Sequence, residues 1–272
     1  MKGYGLFLKM FVGLSFLAMI IINMLAVLLP INGISTGAVS DAYPNLFAPA
    51  GITFSIWSVI YLFLGAYTLY YIGFFHSSGE QLSKENQDQI ALLFSASSLV
   101  NIAWIFAWQY RIIPLSVVLM VVLLLLLIKI NCMIRSSAKS RREDYLIRIP
   151  FNIYFGWITI ATIANFTVLF ISLGWDGFSL ASQLWMVAVL ILGTAIGVVT
   201  AFFLKSISYT LVLIWAYLGI LYKHLDASGF FGCYPVVIFA VSIALAVFVI
   251  EVTYLWIKSD RRTIIKTNNT DR

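Results

Sequence analysis

Residues 45–67 read NLFAPAGITFSIWSVIYLFLGAY, and this stretch decides the fold. Pro49 and Gly51 punctuate its start, and the apolar run that follows is long enough to cross a bilayer, which takes about 20 residues. Within that run Trp57, Tyr61 and Gly65 stand four residues apart, on one helical face. A helix facing only lipid has no use for an aromatic stripe. The stripe therefore needs an inward explanation.

Segments of this kind recur along the whole chain. Apolar runs at about 10–30, 51–75, 90–110, 112–134, 149–173, 183–204, 207–222 and 235–257 are each expected to span. Of the 272 residues, 62% are hydrophobic and 10% charged, against about a quarter charged in a soluble domain. Strands of a membrane barrel would alternate polar and apolar residues, and runs such as VVLLLLLI (residues 121–128) do not. The expected fold class is an all-α polytopic membrane bundle of about eight transmembrane helices.

The net charge of +6 reads as a topology signal rather than a nucleic-acid footprint. With a cytoplasmic N-terminus, 14 of the 17 lysines and arginines fall on the cytoplasmic side, and Lys129 lies inside the fourth span. Only Arg111 and Lys223 fall outside. Both termini are expected to be cytoplasmic, in a multi-pass protein of the cell membrane. The loop 31–50 carries no lysine or arginine, and Pro44 and Pro49 stiffen it; it reads either as a structured cap or as a connector. The segment RSSAKSRREDYLIR (residues 135–148) reads as a solvated loop near anionic headgroups.

Little here suggests catalysis. Cys132 and Cys233 are expected at opposite membrane faces, and His76 and His224, the only histidines, in loops. No metal-ligand spacing, nucleophile elbow or acidic pair within one motif is present. The chain is expected not to be an enzyme, to need no cofactor and to bind no nucleic acid.

Three helices carry the unusual residues. Trp57 and Tyr61 lie on the second, Asn101, Trp104 and Trp108 on the third, and Trp157, Ala161, Thr162 and Asn165 on the fifth. Trp108, two residues from its helix end, reads as part of the interfacial aromatic belt. Trp57, Trp104 and Trp157 lie about 9–12 Å inside at about 1.5 Å per residue, too deep for a belt. Asn101 and Asn165 lie deeper and must find partners. All are expected to face the bundle interior, lining a cavity or packing.

These motifs resemble the TspO/MBR family of tryptophan-rich sensory proteins, which includes the mitochondrial translocator protein. Pro49, Gly51, Phe54, Trp57, Tyr61 and Gly65 are similar to its second-helix signature. Asn101 and Trp104, with Pro114 opening the next span, resemble its third-helix N-x-x-W, and Trp157, Ala161, Thr162 and Asn165 its fifth-helix motif. The resemblance covers residues 10–173 and departs in places. The family's W-Y-x-x-L-x-K-P element is absent from the loop 31–50, one residue is missing between Gly51 and Trp57, and Ile153 stands where a proline is usual. Three further helices have no counterpart in the five-helix core. The division expected is a TspO-like core at 1–174, three additional helices at 175–258 and a cytoplasmic tail at 259–272.

The resemblance implies a sensory or transport protein that binds a bulky hydrophobic ligand, porphyrin or another tetrapyrrole. Trp57, Tyr61, Asn101, Trp104, Trp157, Ala161 and Asn165 would line the pocket, under the loop 31–50 as a lid. Gly65 and Ala161 would leave room or allow close helix contact.

Two charges fall inside the bilayer, Lys129 and Glu251, where ionisable residues are functional candidates by default. Their similar depth suggests a Lys129–Glu251 pair tying the extra helices to the core; Lys129 could equally snorkel to the headgroups. Glu251 is also the coupling residue of the alternative reading, a proton-coupled small-molecule transporter. Gly193 and Gly197 form a G-x-x-x-G, a candidate homodimer stripe. Val252, Tyr254 and Lys258 satisfy a loose cholesterol-contact pattern that carries little weight.

Overall fold

The computed structural model describes residues 2–29, 31–74, 82–137, 140–176 and 178–270, with no account of the side chains of 2–4, 180 and 259–270. His76 lies outside the described residues. Eight long helices follow one another: α1 (Lys2–Leu28), α2 (Ile56–Ile72), α3 (Lys84–Gln109), α4 (Ile113–Ser136), α5 (Ile149–Ser172), α6 (Leu180–Leu204), α7 (Ile207–Leu225) and α8 (Pro235–Thr270). Several outrun the apolar runs that announce them. Ser83 caps α3 by accepting the Asn86 amide, so the helix starts six residues before Ile90, in polar sequence. Length and composition qualify all but α7 to cross a membrane. This is a multi-pass membrane bundle.

Contacts between helix ends sort the bundle into two faces. At one, Lys9 Nζ donates to the carbonyl of Ile72 at 2.7 Å, Arg135 Nε to Phe203, and Arg148 Nη2 to Leu204 at 3.0 Å. At the other, Trp108 Nε1 donates to the carbonyl of Thr36, and His224 Nε2 lies 2.9 Å from the carbonyl of Leu46. By these contacts α7, although less apolar, also runs from one face to the other. It begins at Ser206, beside the Arg148 anchor, and ends at His224. Below, the first face is called basic and the second loop-rich.

Residues 140–148 of the expected solvated loop are ordered. Ser140 and Glu143 form a capping box around the one-turn helix Arg141–Glu143, and the fully buried Glu143 accepts the Leu82 amide at 2.8 Å. A π-helical turn, Asp144–Arg148, then feeds α5.

The loop 31–50 is structured as well. It forms a turn at Ile31–Gly33 and a short helix at Thr36–Asp41, then an extended stretch from Asn45 to Pro49 that is buried. Asn45 Oδ1 accepts the amides of Phe47 and Ala48, which satisfies backbone that no helix serves. From there the 3₁₀ turn Gly51–Ser55 leads into α2.

The last three helices join the core through α7. Gly156 on α5 lies against Tyr209 and Val212, and the Ala50 amide donates to the carbonyl of Gly219 at 3.0 Å. Trp215 Nε1 donates to the carbonyl of Thr53 at 2.9 Å. Gly219 is required at that crossing: a Cβ there would come within 2.0 Å of Thr53 Oγ1. Gly193 and Gly197 do not form a free dimer stripe. They pack inside the bundle, Gly193 against Tyr217 and Gly197 against Leu213 and Phe248.

Candidate functional site

The stripes of α2 and α5 meet through their rings, and that of α3 reaches α5 through Trp104 and Asn165. Trp57 stacks on Tyr61 with ring centroids 5.5 Å apart and meets Trp157 edge-on at 6.3 Å. Two further rings complete this cluster: Tyr154, 6.1 Å from Trp57, and Phe54, 5.9 Å from Trp157. Neither was singled out as a pocket residue from sequence. Tyr154 was legible in principle, since it stands three residues before Trp157 on the same helical stripe.

Asn101 and Asn165 divide the polar work. Asn165 Oδ1 accepts Trp104 Nε1 at 3.3 Å and Ser116 Oγ at 3.0 Å, while its amide donates to the carbonyl of Ala161. Asn101, fully buried, accepts Asn23 Nδ2 at 2.8 Å through Oδ1. Interhelical hydrogen bonds of this kind contribute about 0.6 kcal/mol each in a membrane, so α1, α3, α4 and α5 are held in register by several small terms.

Trp108 is not a belt residue. It is 5% exposed, stacks on Trp104 at 5.7 Å and donates to the carbonyl of Thr36 in the capping loop. Gln109 reaches the same Thr36 with its side-chain amide, so the end of α3 clasps the loop. Ala161 is half-buried one turn beyond Trp157, and Gly65 lies beside Phe16, where a Cβ would meet the ring at an ordinary 3.6 Å.

The centre of the cluster is polar but incompletely bonded. Tyr61 Oη and Trp157 Nε1 are buried with no hydrogen-bond partner, and the buried Tyr154 Oη and Asn101 side chain have only each other for a neighbour, short of a well-formed bond. Buried groups of this kind each cost about 1–3 kcal/mol, and native structures keep few of them. Several under-bonded groups at one centre, among stacked rings and without a formal charge, make an aromatic site with polar edges.

Two clefts flank the site. One, of about 310 Å³, opens between α2 and α7 over Ile153 and is walled by Ile56, Val59, Leu211 and Trp215. The other lies at the loop-rich face, where Leu46 and Phe47 meet the end of α5 and the start of α6.

Elsewhere the structure corrects two expectations. Lys129 and Glu251 do not pair: Lys129 is exposed on α4, while Glu251 is 3% exposed, with Oε2 3.5 Å from Thr210 Oγ1. His224 is not a loop residue but ends α7, fully buried, with its ring against Phe230 and Tyr234. Of the two readings left open for the loop 31–50, the structure shows the structured one, held by α3 and α7. Cys132 and Cys233 are both exposed and unpaired. Among the described residues, no group of three or more His, Cys, Asp or Glu comes together.

A helical membrane bundle with a tryptophan-rich, uncharged centre and a loop folded over one end is the class of protein these features define. The chain belongs to the TSPO-like protein family, whose model matches residues 9–254. The match runs through α6 and α7 and most of α8, beyond the five helices that carry the sequence motifs. No curated protein and no solved structure matches the chain.

Proposed function

We propose that the protein binds a flat, bulky hydrophobic ligand of the porphyrin class at the aromatic centre formed by α2, α3 and α5, in a sensory or transport role. One observation carries this reading: the buried, under-bonded donors gathered at one centre, Tyr61 and Trp157 with no partner and Tyr154 and Asn101 with only each other. A ligand with polar edges would satisfy them, while the indole and phenol faces stack on its plane. Trp57 and Tyr61, as they stand, stack on one another and must part to admit it. The role assigned is recognition rather than catalysis, with the cations of the basic face on the cytoplasmic side.

Binding of protoporphyrin to the detergent-purified chain tests the donors directly. Asn101→Leu and Tyr154→Phe are expected to weaken it about tenfold each, the scale of one lost hydrogen bond to a buried partner. Undiminished affinity in both variants would remove the basis of the reading.

A second reading rests on Glu251. Its Oε1 has no partner within a membrane span, which suits a proton-coupled transporter. Under that reading Glu251→Gln abolishes ligand flux in liposomes and leaves binding intact; unchanged flux excludes it.

A further inference from the structure

The loop-rich face holds a second aromatic cluster that the ligand site does not use. Phe170 lies near the end of α5, Trp175 in the connection that follows and Trp185 in the second turn of α6. Their ring centroids approach pairwise: Trp175–Trp185 at 5.1 Å, Phe170–Trp175 at 5.4 Å and Phe170–Trp185 at 6.0 Å. The interplanar angles are 45°, 72° and 87°, so no pair is stacked face to face.

These rings line the cleft at Leu46 and Phe47 together with Asp176, the one ionisable residue in its wall. Asp176 Oδ1 accepts the Phe178 amide, and the carboxylate forms no ion pair among the described residues. Lys223, a cation of the same face, sits over the Phe230 ring instead. An interfacial belt explains exposed tryptophans. It does not explain three inclined rings walling a cleft together with Asp176, an exposed acidic residue.

We propose that this cleft binds a small quaternary ammonium group, either a free solute or the headgroup of a phosphocholine lipid. Aromatic faces attract such cations through their quadrupoles, and a carboxylate beside them supplies the opposite charge. The cleft measures about 30 Å³, enough for about two waters. A trimethylammonium head therefore enters by parting Trp175 and Trp185, which are 37% and 41% exposed. Its occupant would also touch Leu46 and Phe47, in the loop above the aromatic centre.

The test titrates the full chain, purified in a maltoside detergent, with tetramethylammonium chloride against sodium chloride at matched ionic strength, read by tryptophan fluorescence. Saturable quenching by tetramethylammonium alone is expected. Asp176→Asn should weaken it about tenfold and Trp185→Leu abolish it, in line with removal of the opposite charge and of one ring face from a cation–π site. Trp57→Phe, at the other site, should leave the midpoint unchanged. Nanodiscs separate the two sources. Prior loss of the response in phosphatidylcholine discs but not in phosphatidylglycerol discs identifies the lipid headgroup, and equal responses identify the free solute. No saturable response in detergent, or one indifferent to either Asp176→Asn or Trp185→Leu, overturns the proposal.

Discussion

The five-helix core and the three helices after it solve the same problem differently. Both must pack in lipid, where hydrophobic burial no longer drives helices together. The core does so with polar and aromatic side chains: Asn23 to Asn101, Trp104 and Ser116 to Asn165, Trp57 against Trp157. It still leaves the Tyr61 and Trp157 donors unpartnered at its centre. The later helices use small residues and close approach, with Gly193, Gly197 and Gly219 set against bulky neighbours. The later helices also bury unpartnered atoms, Glu251 Oε1 and His224 Nδ1, but singly and on different helices. The core instead gathers its under-bonded groups among stacked rings, and the proposed binding site rests on that gathering.

The contrast can be broken at its seam. Gly219→Ala drives a methyl group into Thr53 and should cost about 3 kcal/mol, the upper range for overpacking a tight site. A thermal melt in detergent measures it. Thr53→Gly in the same chain should restore much of the loss, and protoporphyrin binding should outlast α7 docking if the core alone forms the site.

A smaller effect is expected where α7 holds the loop. His224→Phe keeps the ring between Phe230 and Tyr234 but removes the donor to Leu46, at a cost of about 1 kcal/mol. Limited proteolysis should cut residues 42–50 faster in this variant, at an unchanged rate elsewhere.

The smallest effect is expected at Lys129. It is exposed and unpaired with Glu251, so Lys129→Gln should shift stability by less than about 0.5 kcal/mol. A larger loss in the same melt would revive the ion pair that similar depth suggested.

That pair shows where sequence reading stops. Apolar runs fix how many helices there are and how deep a residue lies, because the bilayer sets both lengths. They do not fix which neighbour a residue faces. Lys129 and Glu251 share a depth but not a face, and in helices apolar all round no periodicity reveals the phase. The aromatic stripes were legible because Trp57, Tyr61, Trp157 and Asn165 repeat at four-residue spacing. Trp108 was misplaced because closeness to a helix end is the mark of a belt residue and equally of one clasping a folded loop. The burial of His224 depends on Leu46, 178 residues away, and no local pattern announces such a contact.

The most direct test of the aromatic centre is a fluorescence titration of the purified protein with protoporphyrin, comparing wild type with Trp57→Phe and Trp157→Phe. The account predicts saturable quenching at micromolar ligand, weakened by both substitutions while the thermal melt stays within a few degrees of wild type. Saturable binding indifferent to both would place the ligand elsewhere. No saturable binding at all would contradict the site.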